Sequence, residues 1–115
     1  MTKEEFIENY SLEDETIILE DWDSFKGGII GVTEDHKHIV YSYEKLAESL
    51  AAAYEKDYKE GKYPVKFDEK ISKEEMFQEF YQDAVDWIEF NTLGYLPNMN
   101  EEYRPIIMFE LDEKL

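Results

Sequence analysis

The sequence predicts an α+β fold: a small three- to four-stranded, mainly antiparallel sheet with two main helices packed on one face. Three observations predict it. Residues 43–60 and 73–91 carry apolar side chains at helical spacing. Residues 28–33 and 38–42 are β-prone runs separated by a short polar turn. A last apolar run, residues 105–110, opens on a proline, which a strand tolerates at its first position. Strands followed by helices and a closing strand assemble as one α+β layer. A length of 115 residues sets the expectation of a single domain, residues 1–115.

The elements follow in order. Thr2 and Glu5 have capping-box spacing, and Phe6, Ile7 and Tyr10 supply a short apolar face, so residues 3–10 form a short helix. Ser11–Glu15 reads as a polar loop. Thr16-Ile17-Ile18-Leu19 is β-prone and leads into the acidic stretch Glu20-Asp21-Trp22-Asp23. Gly27, Gly28 and Gly31 flank Ile29, Ile30 and Val32, where glycine permits tight turns or close approach by another backbone. Glu34-Asp35-His36-Lys37 connects this strand to His38–Ser42, giving an antiparallel hairpin over residues 28–42.

Ser42 is placed to cap the next helix. Tyr43, Leu46, Ala47, Leu50, Ala51, Tyr54 and Tyr58 make its apolar stripe, with charged residues largely opposite. Gly61 ends it, and Pro64 lies beyond. The connection over residues 61–71 holds at most a short extended piece at Val65–Phe67. Ser72 and Glu75 repeat the capping-box spacing before a wide apolar face of Met76, Phe77, Phe80, Tyr81, Ala84, Trp87 and Ile88. Asn91 and Gly94 supply the usual helix stop. The strand over residues 105–110 is expected to be buried on both faces at its middle, with fraying from Asp112 onward.

Charge narrows the function. The chain has 29 acidic and 12 basic side chains, a net of −17, yet it is 16% aromatic, enough to bury a modest core. Phosphate backbones repel such a chain, and Arg104 is its only arginine, so direct nucleic-acid binding is not expected. A basic protein partner is. The absence of cysteine excludes disulfides and thiolate metal sites and fits a reducing cytoplasm. No apolar run approaches the ~20 residues of a membrane span, and the first residues lack a signal peptide's pattern, so a cytoplasmic protein without membrane contact is expected.

Catalytic and metal patterns are thin. A calcium loop starting at Asp21 would fit at Asp23 but fails at Phe25, Lys26 and Val32. His36 and His38, two apart on a strand, would point the same way and share a metal with Glu34 or Asp35; an ordinary surface pair is the competing reading. The glycines at 27, 28 and 31 do not lie between a strand and a helix, as a phosphate cradle requires. No serine has a nucleophile-elbow context. The expectation is a protein that is not an enzyme and carries no cofactor.

The acidic face is better defined. Glu75, Glu79, Asp83 and Asp86 fall at steps of four, four and three, one stripe at roughly 5–6 Å spacing. That spacing roughly imitates the phosphates of a nucleic-acid strand, spaced about 3.4 Å. A solvated helix face is the competing reading. Residues 13–23 add six carboxylates within eleven positions and no basic residue, Glu20, Asp21 and Asp23 among them. Trp22 between them is either a partner anchor or a core-edge residue, while Trp87 falls on the apolar stripe and is expected in the core.

The segments Asp23, Ile29-Ile30-Gly31-Val32, Val40-Tyr41-x-Tyr43, Leu46-x-x-x-Leu50, Asp83–Gly94 and Pro105-Ile106-Ile107-Met108 resemble a group of small uncharacterised proteins encoded by bacteriophages and prophages. The resemblance spans roughly residues 20–109; its most recognisable part is Phe90-Asn91-x-x-Gly94 followed by the Pro-initiated strand. It implies a phage or mobile-element context in a bacterial host and a hairpin–helix–helix–strand order, with residues 61–71 as an insertion. It transfers no catalytic residue.

The expected function is therefore a non-enzymatic acidic interaction protein. Its partner-binding residues are Glu75, Glu79, Asp83, Asp86, Glu20, Asp21, Asp23 and Trp22, set against a basic host protein as a nucleic-acid mimic or inhibitor. The alternative is a small structural or regulatory module, a homodimer through Tyr-rich surface, whose acidity serves solubility alone.

Overall fold

Residues 1–111 are described in a computed structural model of the chain. The fraying expected from Asp112 onward concerns residues outside this range. Helix α1 spans Lys3–Asn9, with Thr2 and Glu5 closing a reciprocal capping box at 3.1 Å in both directions. The polar segment after it still buries Leu12. Residues 16–19 join no sheet. They form a strap whose Ile17 N–H donates to the Tyr103 carbonyl at 3.0 Å and whose Leu19 N–H donates to the Tyr41 hydroxyl at 3.2 Å. A short helical turn, α2 (Trp22–Phe25), and a 3₁₀ turn at Lys26–Gly28 lead into β1 (Ile29–Val32).

β1 pairs antiparallel with β2 (Ile39–Ser42), as the hairpin pattern predicts, with a register irregularity between Ile29 and Gly31. Ser42 ends β2 and also caps α3 (Tyr43–Lys59), its Oγ accepting the Lys45 N–H at 3.3 Å. Gly61, at φ +75°, supplies the left-handed residue that closes α3; the Lys62 N–H behind it returns to the Asp57 carbonyl at 2.8 Å.

The connection over residues 61–71 contains no strand. It folds back as an aromatic cluster, Tyr63 and Phe67 meeting Phe80 at ring-centroid distances of 5.1 and 5.5 Å. Helix α4 (Lys73–Ile88) starts on the Ser72 cap and runs back along α3. The Tyr43 hydroxyl donates to Glu89 at 2.8 Å at one end, and Tyr58 meets Phe80 at 5.9 Å towards the other. Phe80, Ala84 and Ile88 are buried, in a core with Leu46, Ala47, Leu50 and Ala51 of α3 and Ile39 and Tyr41 of β2.

Four expectations are corrected. The helical run does end at Gly94, but not through a left-handed glycine: it widens into a π turn at Glu89–Leu93, and Gly94, its C-cap, keeps φ −64°. Glycine is needed there because a Cβ would come within 2.6 Å of the Phe90 carbonyl oxygen.

The sheet is mixed, in the order β1-β2-β3, because β3 (Ile106–Met108) runs parallel to β2. α4 ends beside the start of α3, next to the C-terminal end of β2. The chain then crosses to the other end of that strand through a 3₁₀ turn at Leu96–Asn98 before β3 begins. The Arg104 carbonyl accepts the His38 Nδ1–H at 2.8 Å and marks that arrival point. A parallel neighbour requires such a crossover.

β3 is also not buried on both faces. It is a sheet edge, with Ile107 packed on the core and Ile106 and Met108 exposed. Finally, Trp87 is not a core residue. The apolar arc of α4 is wider than its contact with α3, so Trp87 and Phe77 lie on its exposed margins, and Trp87 leans on Phe25 at 5.3 Å.

Candidate functional site

α4 carries all four predicted stripe carboxylates on its exposed side. Their local partners are uncharged. Glu75 accepts from the Ser72 hydroxyl at 3.2 Å, Asp86 from the Gln82 amide at 3.0 Å, and Asp83 from the Tyr63 hydroxyl. Glu79 has no hydrogen-bonded partner among the described residues. Six ion pairs occur among those residues, and none involves a carboxylate of α4.

Beside the C-terminal half of the stripe lies a groove of about 470 Å³. Tyr54 of α3, Tyr63 of the folded-back connection, and Trp87 and Phe90 give it an aromatic lining. Tyr54 and Tyr63 stand 5.6 Å apart by ring centroid. Asp57 from α3 lines it together with Asp83 and Asp86, so carboxylates from two helices border the same groove. Their field is visible in the neighbouring phenols. Burial pushes the Tyr54 hydroxyl above its ordinary pKa, and the charges of Asp83 and Asp57 push it further. The Tyr63 hydroxyl rises through burial and its hydrogen bond to Asp83. Lys62 also lines the groove, but its ammonium is paired with Glu60 at 3.3 Å.

The N-terminal acidic segment is built differently. Glu20 pairs with Lys3 at 2.8 Å and Asp23 with Lys26 at 3.4 Å, correcting the expectation that this run has no basic neighbour. Lys3 reaches it from α1, beyond the stretch of sequence over which charge is naturally counted. Asp21 is exposed and accepts weakly from the Ser24 hydroxyl at 3.4 Å. Trp22 is half-buried on Phe6, with ring centroids 5.4 Å apart, and its indole N–H donates to the Met1 carbonyl at 3.4 Å. It lines a separate groove between α1 and β1 with Phe6, Tyr10 and Ile30. Among the described residues, no hydrogen bond or ion pair joins Glu20, Asp21 or Asp23 to the α4 stripe. The structure thus brings Asp83 and Asp86 together with Asp57 and leaves the N-terminal carboxylates in a second, partly neutralised zone.

His36 and His38 do not point the same way. His36 has φ +62° and lies in the turn, outside the strand alternation that the expectation assumed. Its Nδ1–H donates to the Tyr10 carbonyl at 2.8 Å, whereas His38 serves Arg104. No group of three metal-ligating side chains converges among the described residues. Gly27 and Gly28 serve packing: a Cβ on Gly27 would meet Ser49 Oγ at 2.7 Å.

Sequence reasoning missed Tyr54, Asp57, Tyr63 and Phe90 as site residues. A signal was present for Tyr63: the connection carries Tyr63 and Phe67 between two amphipathic helices, where aromatic side chains have apolar helix surface to cover. Phe90 carried none, because its exposure depends on the π turn. Among the described residues, no helix is long and apolar enough to cross a membrane. The chain matches no protein-family model, and neither a curated protein nor a solved structure is significantly similar to it.

Proposed function

We propose that this is a non-enzymatic acidic interaction protein of phage or mobile-element origin, acting in the cytoplasm of a bacterial host. It binds a basic surface of a host protein, as a nucleic-acid mimic or inhibitor. One observation carries the reading: among the described residues the carboxylates of α4 stand without a cationic partner, while ion pairs neutralise charge elsewhere on the surface. Unrelieved carboxylates at i, i+4 each cost a few tenths of a kcal/mol, a cost that a cationic partner removes. A one-sign surface also steers a basic partner and speeds association. Glu75, Glu79, Asp83 and Asp86 form the primary contact. Asp21, with Glu20 and Asp23 once their lysines are displaced, and Trp22 form a weaker second zone.

The test is capture from host lysate at low and moderate salt, with wild type beside a Glu79→Lys, Asp83→Lys variant. A basic partner retained at low salt and lost on charge reversal supports the reading. No basic partner, or capture indifferent to salt and to reversal, overturns it.

A homodimer is the second reading, favoured by the open edge of β3. Ile106 and Met108 are exposed there, and Phe109, 61% exposed, continues the strip. A net charge of −17 on each copy opposes that pairing at low salt. Sedimentation at several concentrations separates the readings, since a dimer of this kind strengthens with added salt and a charge-driven complex weakens.

A further inference from the structure

We infer that the groove beside α4 receives an arginine side chain presented by the basic partner. The inference rests on the reading of α4 given above and names the chemistry of its central contact.

A surface of carboxylates alone attracts any cation diffusely and selects none. This groove differs because its lining combines aromatic rings with carboxylates. Phe90 is 74% exposed and Trp87 37%, large apolar faces that gain by being covered. A cation that stacks on such faces must shed water readily and present a plane. Guanidinium does both; ammonium is compact and strongly hydrated.

The donor geometry agrees. Asp83 and Asp86, three apart on one helix, stand about 5–6 Å apart at Cβ, a spacing that a forked donor bridges. Asp57 of α3 lines the same groove. Tyr63 donates to one oxygen of Asp83, which orients that carboxylate and leaves its second oxygen to accept. Lys62, the cation lining the groove, is held by Glu60 and does not occupy the role. Arg104 of this chain is not the occupant, since its guanidinium donates to the Leu96 carbonyl at 3.3 Å.

The test compares hexa-arginine, hexa-lysine and hexa-citrulline peptides binding to the full chain at about 20 mM salt, where surface charge is weakly screened. The indole N–H resonances of Trp87 and Trp22 are followed by NMR, Trp22 reporting on the weaker N-terminal zone. Hexa-arginine binds about fivefold or more tighter than hexa-lysine and shifts Trp87 more than Trp22. Hexa-citrulline, planar but uncharged, does not bind. Asp86→Asn weakens hexa-arginine about tenfold, whereas Glu75→Gln, which removes the same charge from the same helix, weakens it about twofold. Equal binding of the arginine and lysine peptides with Trp87 unmoved and the two variants alike overturns the arginine site and leaves the acidic surface standing. Failure of every cationic peptide to bind overturns both.

Discussion

Gly28 lies so close to Leu46 that a Cβ built on it would come within 2.8 Å of the Leu46 Cα and 2.7 Å of its Cδ1. The turn into β1 is thereby seated against the backbone of α3, and Leu46 is fully buried beneath it. Gly28→Ala must push the helix away and is expected to lower stability by about 1–3 kcal/mol, the range for overpacking a close contact. Gly31→Ala is the control, because nothing lies within 4 Å of its added carbon. Urea unfolding of the two variants checks the contrast.

Ser42 does two jobs in one position. It is the last residue of β2, fully buried, and its Oγ accepts the Lys45 N–H that starts α3. Ser42→Ala keeps the strand and loses the cap, with an expected cost of about 1 kcal/mol. Ser72→Ala, at the exposed start of α4, removes the equivalent bond at 3.1 Å and is expected to cost the lower part of the same range. Thermal melts of both variants measure the difference.

The three helix caps and the hairpin were legible because each rests on residues within a few positions of one another. Thr2, Ser42 and Ser72 bond the N–H three residues ahead, and the β1–β2 turn closes locally. The direction of β3 was not legible, since it depends on where the chain travels between Leu93 and Arg104, and no local pattern encodes that path. The exposure of Trp87 was hidden for a related reason. Periodicity shows which side of a helix is apolar, but the width of the arc that gets covered is set by the partner helix. The candidate groove was half legible: Asp83 and Asp86 belong to a visible stripe, while Asp57 reaches it through the packing of α3 on α4 and Tyr63 through the tertiary return of residues 61–71.

Tyr41 and Tyr43 make the fold sensitive to alkali. Burial raises the Tyr41 hydroxyl from 10.0 to about 12, opposed by the Leu19 N–H it accepts. Burial raises Tyr43 to about 12 as well, assisted by its hydrogen bond to Glu89 and the charge of that carboxylate. Above about pH 10 the unfolded chain releases these protons and the native state keeps them, so rising pH favours unfolding. The stabilisation is complete below about pH 10 and is lost as pH rises through about 12. Urea midpoints followed from pH 8 upward are expected to fall across that window. Tyr43→Phe should flatten the decline. Tyr41→Phe should flatten it too, while costing about 1–3 kcal/mol at neutral pH because the Leu19 N–H is left buried and unpaired.

Glu79 separates stability from recognition. It stands between Glu75 and Asp83 at one helical turn from each, with no cation among the described residues paired to any of the three. Glu79→Lys turns two like-charge neighbours into two favourable i, i+4 pairs, each worth about 0.2–0.5 kcal/mol on an exposed helix. The variant is therefore expected to melt higher than wild type at low salt, and the gain should shrink towards about 0.5 M salt, where screening removes both effects. Binding of a basic partner should weaken in the same variant, because the stripe loses two units of charge at its middle. A residue kept only for hydration would show the first change without the second. Differential scanning calorimetry of the two proteins at both salt concentrations, paired with their capture of a basic partner, decides whether α4 retains its strained carboxylates for binding.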